Sequence, residues 1–261
     1  MLLRGALAAL LVLASAGARA LPDPFPAAAA AYLVIVDGAP VWARAADAPR
    51  APASLAKLMS ALLVLEDGRL DDEVAVSRQA AAARGSRLGL REGERVAAHG
   101  LLAAMLVGSA NDACLALAGR DGDAAAFVAR MNAQAAKLGL HATRFGDPCG
   151  FDTDHQRSSA RDLARLAERF MGEPQLAALA GRRDVEVATA GRARVFKVKN
   201  TNVLLEHFPG TLGVKTGQTR RAGHNLIVLA ERDGRRVLLV MLGARDRWWD
   251  AHAILERALE R

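Results

Sequence analysis

Apolar residues change their spacing twice along the chain, and the changes divide it into three stretches. Residues 31–37 are a short β-rich run, Asp37-Gly38 is a turn signal, and Val41, Trp42 and Ala43 continue beyond it, which predicts a hairpin. From Ser54 the period becomes helical, with Met59, Leu62, Leu63 and Leu65 on one run that Asp67-Gly68 stops. The chain from there to about Phe170 reads as almost wholly helical: apolar segments occupy 101–107, 110–118 and 124–138, and Leu163, Leu166 and Phe170 repeat the spacing. Alternation then returns at 185–187 and 195–198. Residues 213–217, 225–230 and 236–242 are strand-like, Asp233-Gly234 gives a tight turn between the last two, and a helix over about 248–259 closes the chain. This order predicts an α/β chain of the α+β kind, an antiparallel sheet completed by both chain ends with helices packed on it.

The first twenty residues alter the picture of where the chain works. Met1-Leu2-Leu3-Arg4 leads into a short apolar run ending Ala18-Arg19-Ala20, a basic start followed by small residues at the cleavage positions, as in a secretory signal peptide. The run is too short and Ala-rich for a comfortable membrane span. Its removal takes away Arg4 and Arg19 and lowers the formal charge of +7 by two. No linker, repeat or low-complexity tract divides residues 21–261, which read as a single domain. The remaining positive charge is spread in single and paired arginines, and only 4% of residues are aromatic, which argues against nucleic acid. The last helix carries Arg257 and Arg261 against Glu256 and Glu260, a solvated face rather than a membrane anchor. Cys114 and Cys149 in an exported chain are either a local disulfide or two buried thiols.

Three short stretches carry candidate chemistry. Ser54 and Lys57 lie three residues apart where a helix begins, so they share a face, and a lysine of lowered pKa is a base for a serine nucleophile. Burial, a second cation or the positive helix end would each lower that pKa. Taken alone, a serine before an apolar run is more often an N-cap. Ser109-Ala110-Asn111 stands at a junction of helical segments; Ser109 can accept and donate a proton and Asn111 can hold an amide, although a helix cap explains the same residues. Lys215-Thr216-Gly217 sits on an expected strand, with a fixed cation, a hydroxyl for a carboxylate, and a glycine that admits a ligand to the backbone. Val214 stands where a phosphate-binding loop needs glycine. The six histidines, at 99, 141, 155, 207, 224 and 252, include no close ligand pair, so neither a metal nor another cofactor is expected.

Ser-x-x-Lys, Ser-x-Asn and Lys-Thr-Gly in this order are close to the set found in penicillin-binding proteins and class A β-lactamases. The chain resembles the low-molecular-mass penicillin-binding proteins of the serine D-Ala-D-Ala carboxypeptidase family, peptidase family S11. The blocks around Pro52 to Lys57, Gly108 to Cys114, Met131-Asn132, Leu138 to Leu140, Ser158 to Leu163 and Gly213 to Thr219 carry the likeness, over roughly residues 30–258. The resemblance implies the β-lactamase/transpeptidase-like fold, a five-stranded antiparallel sheet flanked by a helical cluster with the active site between them. It implies Ser54 as acylated nucleophile, Lys57 as general base, Ser109 as proton shuttle, and Asn111 holding the substrate peptide bond. Lys215 and Thr216 would then bind the terminal carboxylate beside Gly217, the backbone N–H groups of Ser54 and Gln218 would form the oxyanion hole, and Arg247 would add a second charge.

Gln218 stands where relatives often have His or Tyr, and Cys149 replaces a His of many relatives, which favours a Cys114–Cys149 bridge. The implied activity is serine DD-peptidase hydrolysis of peptidoglycan stem peptides in the periplasm or outside the cell, with β-lactams as covalent inhibitors. Cleavage of D-Ala-meso-diaminopimelate cross-links and slow, binding-type turnover are the alternatives. Many family members continue into a C-terminal β-domain and an amphipathic anchor, whereas this sequence stops one helix after its last strand, so a one-domain version without anchor is expected. A β-lactamase is disfavoured. Glu173-Pro174-Gln175-Leu176 resembles the deacylation loop of class A enzymes but is followed by Ala177 instead of asparagine and lies too near Lys215, which leaves Glu173 as a surface loop residue.

Overall fold

The computed structural model describes residues 23–260, so the expected leader and its cleavage site lie outside the described residues. β1 (Ala29–Val36) and β2 (Ala39–Arg44) form the expected hairpin, joined by Asp37 and Gly38 at φ 49° and 82°, which matches the twist of the strands it connects. A 3-10 turn over Ala53–Ala56 feeds α1 (Lys57–Glu66). There follow β3 (Glu73–Ala75), α2 (Arg78–Ala81), β4 (Arg95–Ala97), α3 (Ala98–Val107), α4 (Asn111–Ala118) and α5 (Ala124–Lys137). Beyond a loop come α6 (Ala160–Met171), α7 (Pro174–Ala180), β5 (Asp184–Ala188), β6 (Val195–Lys199) and α8 (Leu204–His207). Three long strands, β7 (Thr211–Thr219), β8 (Gly223–Arg232) and β9 (Arg235–Ala244), precede α9 (Arg247–Leu259).

The main sheet has five strands in the order β2-β1-β9-β8-β7, every pair antiparallel. Alternation along β9 sets the layers. Leu238, Val240 and Leu242 face the helical cluster with Ile227 and Leu229 of β8, while Val237, Leu239 and Met241 face α9 with Leu226 and Val228. α9 fills that second face with Ala251, Ile254, Leu255 and Ala258, and Asp246 caps its start by accepting the N–H groups of Trp248 and Trp249. Because both faces are covered, the strands read as near-continuous apolar runs. α1 is buried from Lys57 to Val64, so the first charged residue of the helix is inside the protein.

Two parts of the helical reading need correction: residues 68–97 are mostly irregular, with one short helix and a β3–β4 ribbon, and residues 138–159 form a loop without helix; β5 pairs with β6 in a ribbon apart from the main sheet. The buried Asp112 carboxylate explains the first case: it accepts N–H groups from Leu88, Gly89 and Leu90 at 3.1, 2.8 and 3.1 Å, doing for that loop what helical bonds would do.

Candidate active site

Ser54 lies inside the 3-10 turn and Lys57 begins α1, and in a 3-10 turn residues three apart eclipse. Lys57 Nζ is accordingly 2.9 Å from Ser54 Oγ. The amine is wholly buried and donates to two further oxygens, Asn111 Oδ1 at 2.8 Å and the Cys149 carbonyl at 2.5 Å. Its pKa is pushed down to about 7 by desolvation, opposed by the charge of Asp147. A neutral amine has two N–H donors and one lone pair. The two carbonyl oxygens occupy both donors, so the lone pair is left for the Ser54 hydroxyl.

The loop that supplies the Cys149 carbonyl is pinned on every side. Asp147 Oδ1 accepts the N–H groups of Cys149, Gly150 and Phe151 at 2.8, 2.7 and 3.0 Å. Buried Gln156 accepts from Gly146 and Asp147, and Ser60 of α1 donates to the Pro148 carbonyl at 2.6 Å. Cys149 is joined to Cys114 of α4 by a disulfide. Gly150, at φ 91°, passes so close beneath the nucleophile that a Cβ there would lie 2.0 Å from the Ala53 carbonyl oxygen.

Asn111 opens α4, and its side chain is committed on both sides: Oδ1 to Lys57, Nδ2 to the Arg84 carbonyl at 2.6 Å. The structure thus makes it a brace for the amine as well as a residue of the cleft wall. Ser109, between α3 and α4 with φ 58°, is buried, and its hydroxyl makes no hydrogen bond among the described residues. It is not joined to Lys57 or Lys215.

β7 forms one edge of the main sheet and runs against the Ser54 turn, where a Cβ on Gly217 would meet the Pro52 oxygen at 3.1 Å and Ser54 N at 3.2 Å. Lys215 and Thr216 are buried on this strand, Gln218 is exposed, and Thr216 Oγ1 is 2.6 Å from Thr201 Oγ1. Lys215 Nζ donates to the Thr216 carbonyl at 3.1 Å, and its pKa is well below the ordinary lysine value through burial, then through the charges of Lys57 and Arg247. The expected influence between the two lysines therefore falls on Lys215; the shift of Lys57 comes from desolvation. Arg247 donates to the carbonyls of Gly217 and Asn225 at 3.1 and 3.4 Å and packs over Trp248. Ser54, Asn111, Cys149, Phe151 and Gln218 line an open cleft of about 450 Å³.

Three supporting residues carried no sequence signal as site residues. Asn225 bonds the Ala51 carbonyl and accepts from Gly243 N, both at 2.9 Å, tying the sheet to the segment before Ser54. Asp147 and Gln156 shape the Cys149 loop, whose link to Lys57 the sequence did not show. Glu173 precedes α7, pairs with Arg169 and does not line the cleft. Among the described residues no cluster of His, Cys, Asp and Glu could hold a metal ion, and no helix is long and apolar enough to cross a membrane.

Residues 20–246 match the D-alanyl-D-alanine carboxypeptidase family, peptidase family S11. D-alanyl-D-alanine carboxypeptidase DacF of Bacillus subtilis is 33% identical over 200 residues, 74% of this chain and 51% of the relative. The D-alanyl-D-alanine carboxypeptidase of Streptomyces sp. strain K15 is 30% identical over 258 residues, 92% and 89% of the two chains. The crystal structure of the Streptomyces K15 DD-transpeptidase superposes with a TM-score of 0.85 at 28% identity, covering 92% of this chain and all of that one. The chain spans about half the length of DacF and of the Escherichia coli DacD relative, 51% and 52%.

Proposed function

The chain belongs to the D-alanyl-D-alanine carboxypeptidase family, and from that premise we propose that it is a serine DD-peptidase that removes the terminal D-alanine from peptidoglycan stem peptides. The observation that carries the reading is the Lys57 amine, buried, held by two carbonyl oxygens and presenting its lone pair to Ser54 Oγ. Ser54 Oγ attacks the carbonyl carbon of the penultimate D-alanine while its proton passes to Lys57 Nζ. The oxyanion is received by the N–H groups of Ser54 and Gln218, and losing one such donor typically costs about 2.7 to 4 kcal/mol of transition-state stabilisation. The C–N bond then breaks, the leaving amine takes a proton through the unengaged Ser109 hydroxyl, and water releases the acyl group. Edge strand β7 offers backbone groups along which an extended peptide can lie. Its terminal carboxylate meets Lys215 and Thr216, where an anion relieves the crowding of Lys215 by Lys57 and Arg247.

The same reading places the mature protein outside the cytoplasmic membrane as one catalytic unit over residues 21–261, in keeping with the leader-like residues 1–20 and the disulfide. Intact-protein mass spectrometry after benzylpenicillin tests the acyl-enzyme, with D-alanine release from a pentapeptide as the second assay. A lasting adduct that Ser54→Ala lacks is expected; turnover without an adduct, or an adduct on the alanine variant, would refute it.

A further inference from the structure

The cleft that holds Ser54 carries two arginines, Arg84 on one wall and Arg220 on the other. Both are exposed, and neither side chain makes a hydrogen bond or ion pair among the described residues. Their main chains, by contrast, are fixed. The Arg84 carbonyl accepts from Asn111 Nδ2, and the next residue, Gly85, turns with φ 76° against the same amide. Arg220 follows Thr219, whose hydroxyl donates to Asp152 and accepts from Ala222 N, in the turn between β7 and β8. Two acids of the neighbouring loop are already engaged: Asp147 holds its own loop, while Asp152 binds Thr219 and the Arg221 N–H. Two arginines without a side-chain partner among the described residues therefore line the same cleft as Ser54, each on a fixed stretch of main chain.

The place of Arg220 beside the end of β7 says which part of a ligand it meets. Lys215 and Thr216 take the terminal carboxylate, and β7 runs on from Thr216 to Thr219, about 10 Å at the rise of an extended chain, before the turn that carries Arg220. That is the direction of the residues upstream of the scissile bond.

We propose that Arg84 and Arg220 form a subsite for carboxylates on the acyl side of the substrate, so that the enzyme selects stem peptides with free acidic groups over amidated ones. The proposal rests on the DD-peptidase reading and adds to it a substrate class. Guanidinium pairs carboxylate through two parallel N–H donors, which an amide cannot match. At exposed positions each such pair is worth up to about fivefold, and salt weakens it.

The test uses two peptides ending in D-Ala-D-Ala that differ only in a D-isoglutamyl α-carboxylate or its carboxamide. The expected kcat/KM ratio favours the carboxylate by about tenfold or more at low salt and shrinks as sodium chloride rises to about 0.5 M. Arg84→Gln and Arg220→Gln each bring the ratio down by about three- to fivefold, and Arg220→Glu inverts it. A wild-type ratio near one, or a ratio untouched by both variants and by salt, overturns the subsite while D-alanine release leaves the peptidase reading standing. No release from either peptide, with no benzylpenicillin adduct, overturns both.

Discussion

The protonation state of Lys57 sets the pH at which Ser54 can be acylated. An ordinary lysine titrates at 10.5; burial brings this one to about 7. At 1.36 kcal/mol per pH unit the difference is about 5 kcal/mol against the charged form, and it raises the neutral fraction at pH 7 from about 0.03% to about one half. The rate of benzylpenicillin acylation, followed by stopped-flow fluorescence or quenched mass spectrometry, is expected to climb about tenfold per pH unit below 7 and level off above it. The charge of Asp147 opposes the shift, and its Oδ1 accepts three N–H groups that an asparagine oxygen can accept equally. Asp147→Asn therefore keeps the loop and moves the inflection to lower pH. An inflection near 10, or one that Asp147→Asn moves upward, would refute the assignment of the base. The same titration affects stability. The folded pKa of Lys57 lies below the unfolded one, so between about pH 7 and 10.5 the unfolded chain binds more protons and stability rises with pH; below about 7 the full penalty is present. Urea midpoints at pH 7 and 9 should differ in that direction, and less so in Lys57→Met.

Gly150→Ala puts a Cβ into the Ala53 carbonyl at a left-handed backbone position, and acylation is expected to fall at least about a hundredfold, or folding to fail; wild-type kinetics would show that the loop can move aside. Asp112→Ala strips the partner from three main-chain N–H groups of the 88–90 loop, besides that of Ala113, and should cost about 3 kcal/mol, a fall in Tm of about 6 to 12 °C by calorimetry. Asn225→Ala removes two hydrogen bonds and should cost about 2 kcal/mol in urea unfolding, with benzylpenicillin acylation slowed because the segment before Ser54 loses its tie to the sheet.

What the sequence disclosed depended on how local the cause was. The hairpin turns at Asp37-Gly38 and Asp233-Gly234 were legible because a two-residue turn with positive φ needs those residue types, and both carry it. The strands and α9 followed from apolar runs of the right length. The β3–β4 ribbon was not legible, since its loop is organised by a carboxylate more than twenty positions away. The site divides in the same way. Ser54 and Lys57 share a face by spacing, Ser109, Asn111 and Lys215 stood out as polar groups in the right kinds of segment, and the family resemblance supplied the role of each. Burial stood among three possible causes of a depressed Lys57 pKa, and which of them acts was not readable, because that burial is created only by the assembled helical cluster; nor was the Cys149 main-chain oxygen to which the amine donates, which no residue type specifies.

The Cys114–Cys149 bridge closes a loop across a separation of 35 residues and binds together two of the three partners of the Lys57 amine, α4 with Asn111 and the loop with the Cys149 carbonyl. A staple in that position ties the grip on the base to oxidation: with the two thiols free, α4 and the Cys149 loop are expected to hold the Lys57 amine less tightly. Refolding with and without oxidant, scored by penicillin capture, separates this from a bridge that lends only robustness: in the latter case reduced protein reacts at full speed at temperatures where it remains folded.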